Sequence, residues 1–163
     1  MKATARANSN IAFIKYWGNT DEILRLPANP SLSMNLDGLY TETTVNWSTD
    51  LNSDTLEING SHADEKARQR VSLHLDALRR RLGISLFAHV DSRNNFPMGA
   101  GIASSASSFA ALTLAAVHAA AVELKERELS ALARLGSGSA SRSIPSGYVE
   151  WITGTTHEES FAF

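Results

Sequence analysis

Cysteine is absent from the 163-residue sequence. The chain can therefore form neither a disulfide bond nor a thiolate metal site, which agrees with a reducing compartment. The N-terminal residues lack the apolar core of a signal peptide. The longest apolar stretch, residues 109–122, is interrupted by Thr113 and His118 and is too short to span a bilayer. We therefore expect a cytoplasmic protein with no membrane partner.

Strong charge of either sign is also lacking. The net charge is −2 and the pI is near 6.2, so the composition gives no reason to expect a nucleic-acid partner. The five histidines are scattered, without a His-x-His or His-Glu-x-x-His pattern, which argues against a zinc site. The P-loop of NTPases, a complete dinucleotide-binding fingerprint and the Gly-x-Ser-x-Gly elbow of hydrolases are absent as well.

Hydrophobic residues make up 43% of the chain, which suits one globular domain or one half of a larger enzyme. The hydrophobic periodicity predicts strands first and helices later, as in an α+β domain rather than a Rossmann alternation. The predicted strands cover residues 3–7 with a buried continuation over 11–14, a hairpin of 32–36 and 40–48 that turns at Asp37-Gly38, and residues 55–58, 85–90 and 148–152. The predicted helices cover residues 64–82, 103–122 and 128–135.

The stretch at residues 95–110 is rich in glycine and serine and runs directly into the second predicted helix. Gly99 and Gly101 permit a close approach of the backbone to a ligand. The first turn of a helix offers unpaired N–H groups and the positive end of the helix dipole. The stretch therefore fits a phosphate cradle, although a helix cap without a ligand produces the same pattern.

Polar and small residues cluster three times along the chain, at residues 10–19, 95–108 and 136–146. The first cluster carries Lys15 and Tyr16, and the third carries Arg142 among several serines. Cations, hydroxyls and backbone amides are the groups that bind a multiply phosphorylated anion. If the three clusters converge, they form a phosphoryl-transfer site. Taken singly, Arg142 could also be a surface ion pair and Lys15 a solvated strand end.

Four motifs, in order along the chain, resemble one family. They are Asn10-Ile-Ala-Phe-Ile-Lys-Tyr-Trp-Gly18, Asn29-Pro-Ser-Leu-Ser33, Pro97-x-x-x-Gly101-Ile-Ala-Ser-Ser105-Ala, and Gly136-Ser-Gly-Ser-Ala-Ser-Arg-Ser143 followed by Gly147-Tyr-Val-Glu-Trp151. The third resembles the phosphate loop of the GHMP kinase superfamily, and together they resemble the mevalonate diphosphate decarboxylase family. The resemblance implies that residues 1–163 form a GHMP-kinase N-terminal domain (ribosomal protein S5 domain 2-like), with an antiparallel or mixed sheet packed on helices.

The resemblance implies an ATP-dependent reaction, with Mg²⁺, on a mevalonate that carries a 5-diphosphate or a 5-phosphate. The 3-hydroxyl would take the γ-phosphoryl group, and loss of that phosphate would drive decarboxylation to the isopentenyl product in isoprenoid biosynthesis. The residues implied in substrate binding are Ala12, Lys15, Tyr16, Ser137, Gly138, Ser139 and Arg142, among which Lys15 and Arg142 are the catalytic candidates. The residues implied in ATP binding are Asn95, Pro97, Gly99, Ala100, Gly101, Ala103, Ser104 and Ser105, and Ser105 would also reach Mg²⁺ through ATP.

The sequence departs from the family pattern at three places. The family usually has lysine at the position of Asn19, and the loss of that cation makes phosphomevalonate a serious alternative to the diphosphate. Pro145-Ser146 replaces an aromatic-Gly pair, which puts the shape of that loop in doubt. Met98-Gly99 replaces a Thr-Ala pair beside the ATP loop.

Length is the largest departure, because family members are about twice as long. The aspartate expected to activate the 3-hydroxyl lies in the family's second half. We therefore expect that half to be a partner of this chain, and we expect residues 1–163 alone to be inactive. The two aromatic residues among the last three indicate either a chain that continues or a terminal strand packed in the core. The sequence leaves two other functions open, a 3-kinase that does not decarboxylate and a non-catalytic binding module. It also leaves open a homodimer.

Overall fold

A computed structural model describes residues 1–97 and 104–163. The strands are β1 Lys2–Ile14, β2 Asn19–Asp21, β3 Leu26–Pro27, β4 Ser31–Ser48, β5 Thr55–Ile58, β6 Ser61–His62, β7 Phe87–Asn94 and β8 Tyr148–Trp151; the helices are α1 Glu65–Leu82, α2 Ser104–Ala119 and α3 Glu126–Gly136, followed by a 3₁₀ helix at Gly138–Ser143. The main sheet has the order β1-β4-β7-β5-β6, and β8 pairs with β4. Its pairs are antiparallel except for β5 and β7, which run parallel. The predicted α+β class is confirmed.

Strand β4 is continuous, so the predicted hairpin at Asp37-Gly38 is wrong. Both halves of β4 pair with β1, and the register shifts between the Asn8–Tyr40 pair and the Asn10–Asn35 pair. Asp37-Gly38 lies within this irregular stretch, where Gly38 has a φ of 79°. The conformational freedom of the glycine therefore makes a bulge in one long strand instead of a turn between two strands.

Strand β1 changes the face that it presents to the helices partway along its length. Ala7 is buried in the core, and both Ser9 and Asn10 are buried at the register shift. A residue inserted at a bulge reverses the alternation of side chains that follows it. Ile11 and Phe13 consequently lie on the outer face of the sheet, where they are 51% and 57% exposed. The predicted buried continuation of this strand is therefore wrong.

The core lies between the inner face of the sheet and the three helices. Helix α2 packs against β1 and β4, and Trp47 Nε1 of β4 donates to the Ala116 carbonyl at 3.0 Å. Helix α1 begins after Asp64, whose carboxylate accepts the N–H of Ala67, and ends at Gly83 in the left-handed region. All three predicted helices are confirmed, with α2 ending at Ala119. None of them, within the described residues, has the length and apolarity of a membrane span.

Two further segments differ from the sequence prediction. Strand β7 begins and ends later than the predicted 85–90, and the glycine- and serine-rich loop after α3 contains a 3₁₀ helix. At the C-terminus, Ala162 is buried and forms a β-bridge with Trp151. The last residues therefore lie along β8, as a terminal strand would, although Phe163 itself is 56% exposed.

His74 of α1 is a buried, neutral imidazole. Its Nε2 lies 2.8 Å from Thr113 Oγ1, and that hydroxyl donates to the Phe109 carbonyl, so Nε2 must be the protonated nitrogen. Its Nδ1 has no hydrogen-bond partner among the residues that the structure describes. Burial, aided by the charges of Arg25 and Arg70, lowers the pKa of His74 to about 3.

This histidine predicts an acid-sensitive fold. Between pH 6.5 and pH 3 the unfolded chain binds a proton at His74 that the folded chain does not, so stability falls as the pH falls. From pH 7 to pH 5 the loss attributable to His74 is about 2 kcal/mol of the free energy of unfolding. His74→Gln reduces the dependence of the free energy of unfolding on pH, as measured by urea titrations at several pH values. His62→Gln, at an exposed side chain, is the control and leaves this dependence unchanged. If the pH dependence of stability in His74→Gln equals that of the unaltered chain, His74 is not the buried neutral group described here.

Candidate functional site

Residues from all three polar clusters meet on the inner face of the sheet, beside the start of α2. Asn10 Nδ2 donates to Ser143 Oγ at 2.8 Å and to the Ser139 carbonyl at 3.1 Å, which joins the first cluster to the third. The hydroxyls of Ser105 and Ser137 lie 3.3 Å apart, which joins the second cluster to the third. The convergence on which the predicted phosphoryl-transfer site depends is therefore present.

Arg142 is the buried cation of this site, with 4% of its surface exposed. Its Nε donates to Asn10 Oδ1 at 3.3 Å, and its Nη1 donates to Ser31 Oγ at 2.9 Å. Both partners are uncharged, and the salt bridges found among the described residues do not include Arg142. Burial accordingly lowers the pKa of the guanidinium from its ordinary value.

The surroundings of Arg142 fit an anionic ligand. A buried charge is costly unless an opposite charge and hydrogen bonds compensate it. Within the described residues, the hydrogen bonds of Arg142 use Nε and Nη1 and leave Nη2 without a partner. A guanidinium presents paired N–H groups in a plane, which matches a carboxylate or a phosphate. The geometry can therefore bind and orient such a group, and the surface ion pair that the sequence left open for Arg142 is not what the described residues show.

Two aromatic rings form the wall beside Arg142. Tyr16 and Trp151 meet edge to face with centroids 4.8 Å apart, and the guanidinium carbon lies 5.9 Å and 5.7 Å from their respective centroids. Gly138 is required by this packing, because a Cβ there would lie 2.9 Å from the Tyr16 hydroxyl and 3.1 Å from Trp151. The aromatic wall therefore holds Tyr16 and the 3₁₀ helix in contact.

A row of serine hydroxyls connects the start of α2 to the 3₁₀ helix. Ser104 and Ser105 open α2 as half-buried residues. The Ser137 hydroxyl lies 3.3 Å from those of both Ser105 and Ser139. Hydroxyls beside the positive end of a helix can donate to phosphate oxygens. This row places the predicted ATP residues next to the predicted substrate residues.

Lys15 follows β1 at the rim of the site and is exposed. Asn29 fixes its backbone, because Asn29 Nδ2 donates to the Lys15 carbonyl at 3.0 Å and Asn29 Oδ1 accepts the N–H of Trp17 at 3.0 Å. Ala12 is half-buried and pairs with Ser33 of β4. Ala12 and Lys15 therefore lie on β1 and just after it, and of the predicted residues in this part of the chain it is Tyr16 that the described contacts join to Arg142 and the 3₁₀ helix.

The predicted ATP residues are only partly described. Asn95 is exposed, and its amide accepts the N–H of Tyr40 at 2.8 Å and donates to the Gly38 carbonyl at 2.6 Å. This contact holds the bulge of β4, so Asn95 has a structural task that sequence reasoning missed. Pro97 is exposed. Gly99, Ala100, Gly101 and Ala103 lie outside the described residues.

Three polar residues of the site were missed by sequence reasoning. Asn10 and Ser31 hold the Arg142 guanidinium, and Asn35 Nδ2 donates to the carbonyls of Arg142 at 3.2 Å and Pro145 at 2.8 Å. The sequence could have indicated them, because Asn10 and Ser31 lie inside the matched motifs and all three are polar residues within strands. The Asn35 contact also shows how the loop that carries Pro145 is held in place.

An apolar cavity lies between the sheet and helices α1 and α2, next to the row of serines. Its walls come from β4, β5, β7, α1 and α2, and they are Thr43, Leu56, Ile58, Val71, Val90, Ser92, Asn94, Ser108, Phe109 and Leu112. The cavity measures about 60 Å³, which is small beside the roughly 300 Å³ or more of pockets that hold drug-sized ligands. Among the described residues, no group of three or more metal-ligating side chains occurs.

Comparison with known proteins shows which proteins this chain is similar to. The model of the diphosphomevalonate decarboxylase-like N-terminal domain matches residues 7–162. The diphosphomevalonate decarboxylase of Schizosaccharomyces pombe is 41% identical over 170 aligned residues, covering 96% of this chain and 43% of that enzyme. The chain thus spans less than half the length of this relative.

Solved structures give the same result. The mevalonate diphosphate decarboxylase of Staphylococcus aureus superposes with a TM-score of 0.97 at 45% identity, over 99% of this chain and 49% of that one. A complex described as MDDEF with MVAPP, AMPPCP and magnesium superposes with a TM-score of 0.95 at 45% identity, over 100% of this chain and 50% of that one. The similarity therefore covers the whole of this chain and about half of each solved chain.

The packing of Gly138 against Tyr16 yields a prediction for the site. Gly138→Ala is expected to lower the free energy of unfolding by about 1–3 kcal/mol, because the new methyl group overpacks the aromatic wall. The double variant Gly138→Ala/Tyr16→Phe recovers part of this loss, since it removes the Tyr16 hydroxyl, which is the atom nearest to the new methyl group. Ser139→Ala, at the adjacent half-buried position, is the control. If urea unfolding shows that the double variant is no more stable than Gly138→Ala alone, the close contact is refuted.

Proposed function

Because the chain belongs to the diphosphomevalonate decarboxylase-like family, we propose that it forms the ATP- and substrate-binding half of an ATP-dependent decarboxylase of 5-phosphorylated mevalonate. The observation that carries this proposal is the buried Arg142, which lacks an acidic partner among the described residues and lies where the three polar clusters converge. A phosphorylated hydroxy acid supplies the anionic groups that this site lacks.

Arg142 is proposed to bind and orient the substrate carboxylate, the group that leaves as CO₂. Asn10 and Ser31 accept from Nε and Nη1, so the ligand takes the remaining N–H groups, including those of Nη2. Preorganisation of this kind lowers the cost of orienting the reacting group. The rest of the substrate, including its phosphate, is bound by Ala12, Lys15, Tyr16 and the Ser137–Ser139 segment. Lys15 and Arg142 are the catalytic candidates within this chain.

The start of α2 is proposed to bind the ATP phosphates. The half-buried hydroxyls of Ser104 and Ser105 and the N-terminal amides of the helix fit phosphate oxygens, and Ser105 reaches Mg²⁺ through them. ATP with Mg²⁺ supplies the phosphoryl group that activates the 3-hydroxyl. The hydroxyl row from Ser105 to Ser139 connects the proposed phosphate site to the substrate half of the site.

The proposed reaction needs a general base that this half does not supply. We assign none of the aspartates at positions 21, 37, 50, 54, 64, 76 and 91 to that role. Asp54, for example, is buried and held by Arg79 and by the N–H of Ala88, which makes it a structural group. The base is therefore expected from the second half that the longer relatives carry. Residues 1–163 alone are expected to bind ligands without turnover.

The monophosphate is the second candidate substrate, and one contact favours it. Asn19 donates to Glu22 Oε2 at 3.1 Å, so the position where the family usually has a cation carries an amide beside a carboxylate. A negative charge there disfavours an additional phosphate. A kinase that stops after 3-phosphorylation differs from the decarboxylase in its products, since it forms ADP without CO₂.

The experiment that tests the proposal uses a fused protein, in which residues 1–163 are followed by the second half of the Staphylococcus aureus relative. ADP formation and CO₂ release are measured with mevalonate, its 5-phosphate and its 5-diphosphate. Coupled ADP and CO₂ production from a 5-phosphorylated substrate is expected. ADP without CO₂ identifies a 3-kinase, and neither product from any substrate identifies a non-catalytic module.

Removal of the Arg142 charge is expected to abolish most of this activity. Arg142→Ala lowers kcat/KM about 100-fold or more, and Arg142→Lys rescues little because an ammonium lacks the planar fork. Asn10→Ala lowers kcat/KM about tenfold, because Arg142 then loses one of its two positioning contacts. Arg93→Ala, at an exposed side chain paired with Asp91, is the matched control. Full activity of Arg142→Ala refutes the proposed role.

Asn19→Lys is expected to shift the choice between substrates. A lysine can donate to the Glu22 carboxylate as the amide does, and in addition it offsets that negative charge and supplies a cation for the terminal phosphate. The ratio of kcat/KM for the diphosphate to that for the monophosphate rises about tenfold. Thr20→Lys, at the neighbouring exposed residue, controls for charge alone. An unchanged ratio shows that position 19 does not determine selectivity.

A further inference from the structure

The outer face of the sheet, which faces away from the helices, has a polar part and an apolar part. In the polar part, Arg6 pairs with Glu42 at 3.1 Å and Arg93 pairs with Asp91 at 3.0 Å. These charged side chains are exposed, as expected of a solvated sheet face. Beyond the bulges of β1 and β4, the same face carries large apolar side chains.

The apolar part is continuous across neighbouring strands. Ile11 of β1 is opposite Met34 of β4, and Met34 is opposite Tyr148 of β8. Residues opposite each other in a sheet project from the same face. The rings of Phe13 and Tyr148 are stacked with centroids 6.2 Å apart, which confirms that they share this face. Ile11, Phe13 and Tyr148 are nevertheless 51%, 57% and 72% exposed.

The terminal segment extends this surface by one more strand. Glu150 and Phe163 exchange two backbone hydrogen bonds, of 3.1 Å and 3.0 Å, and Ile152 donates to the Phe161 carbonyl at 3.1 Å. The neighbouring Ala162 is buried beside Trp151, so Phe161 and Phe163 project to the outer face. Their ring centroids lie 6.2 Å apart. We call the surface formed by Ile11, Phe13, Met34, Tyr148, Phe161 and Phe163 the outer apolar patch.

We infer that the outer apolar patch is the docking surface for the second half that the longer relatives carry. A patch of contiguous large apolar side chains rimmed by polar ones marks an interaction surface. Two observations select this occupant. The chain covers 43% and 49% of two longer relatives, so a second half of similar size accompanies this one there. The matching family model is an N-terminal domain over residues 7–162, so in those relatives the second half follows the segment that corresponds to residues 161–163, which forms one edge of the patch.

The docking also explains the division of the outer face. The charged part, around Arg6 and Arg93, needs no cover, whereas the apolar part gains free energy when water is removed from it. The strands that carry the patch on one face carry Asn10, Ala12 and Ser31 on the other. A half that docks at the patch is thereby held at the strand ends next to the proposed site. This inference rests on the proposed function only in requiring a second half.

The absence of cysteine from residues 1–163 permits a direct test by thiol labelling. Phe13→Cys and Tyr148→Cys report on the patch. Arg6→Cys and Arg93→Cys report on the charged part of the same face, with similar side-chain exposures of 54% and 68%. Each is introduced singly into the fused protein, with any cysteine of the second half replaced by serine. Maleimide labelling rates are measured in buffer and divided by the rates in urea, so that each position has its own unfolded reference.

Labelling at positions 13 and 148 is expected to be at least tenfold slower, relative to the unfolded reference, than at positions 6 and 93. Equally fast labelling at all four positions overturns the inference. Protection at 13 and 148 that disappears on dilution also overturns it, because a second copy then covers the patch. Circular dichroism confirms that each variant is folded.

CO₂ release by the same samples separates this inference from the proposed function. Protection of the patch in a protein that releases no CO₂ supports the docking surface and counts against the decarboxylase. CO₂ release by a protein whose patch labels fast supports the decarboxylase and overturns the docking surface.

Discussion

The burial of one cation, Arg142, is the constraint on which the arrangement of the site depends. Its guanidinium has only the neutral partners Asn10 and Ser31 among the described residues, and burial lowers its pKa. Such a group is destabilising by itself and becomes favourable when an anion binds. The surrounding structure holds it in place all the same. Asn35 fixes the backbone carbonyl of Arg142, and the ring of Trp151 lies beside its guanidinium.

Bulges in β1 and β4 create the space for this cation. Upstream of the β1 bulge, small residues such as Ala7 pack under α2 in the hydrophobic core. At the bulge, Ser9 and Asn10 both turn inward, so that a polar pocket replaces the core. The same change of alternation sends Ile11 and Phe13 to the outer face. The polar site on the inner face and the apolar patch on the outer face are therefore two consequences of one backbone irregularity.

The sequence predicted the local structure better than the strand pairing. Helix α1 was predictable because its apolar residues recur at helical spacing between the capping residues Asp64 and Gly83. Helix α2 was predictable because it is apolar almost all round and long. The continuity of β4 was not, because Asp37-Gly38 has the composition of a turn and only its pairing with β1 shows that it is a bulge. The motifs indicated Lys15, Tyr16, Arg142 and the serines, and the structure brings these segments together. The roles of Asn35 and Asn95 depend on partners far away in the chain, which local patterns do not reveal.

The most direct test of the account is a crystal structure of the fused protein with a 5-phosphorylated mevalonate and a non-hydrolysable ATP analogue. The account predicts that the substrate carboxylate accepts hydrogen bonds from Arg142 Nη2 at about 3 Å. It also predicts that Nε and Nη1 keep their contacts with Asn10 and Ser31. A substrate bound with its carboxylate and phosphate both away from Arg142 would contradict the central claim that this buried cation is the anion-binding centre.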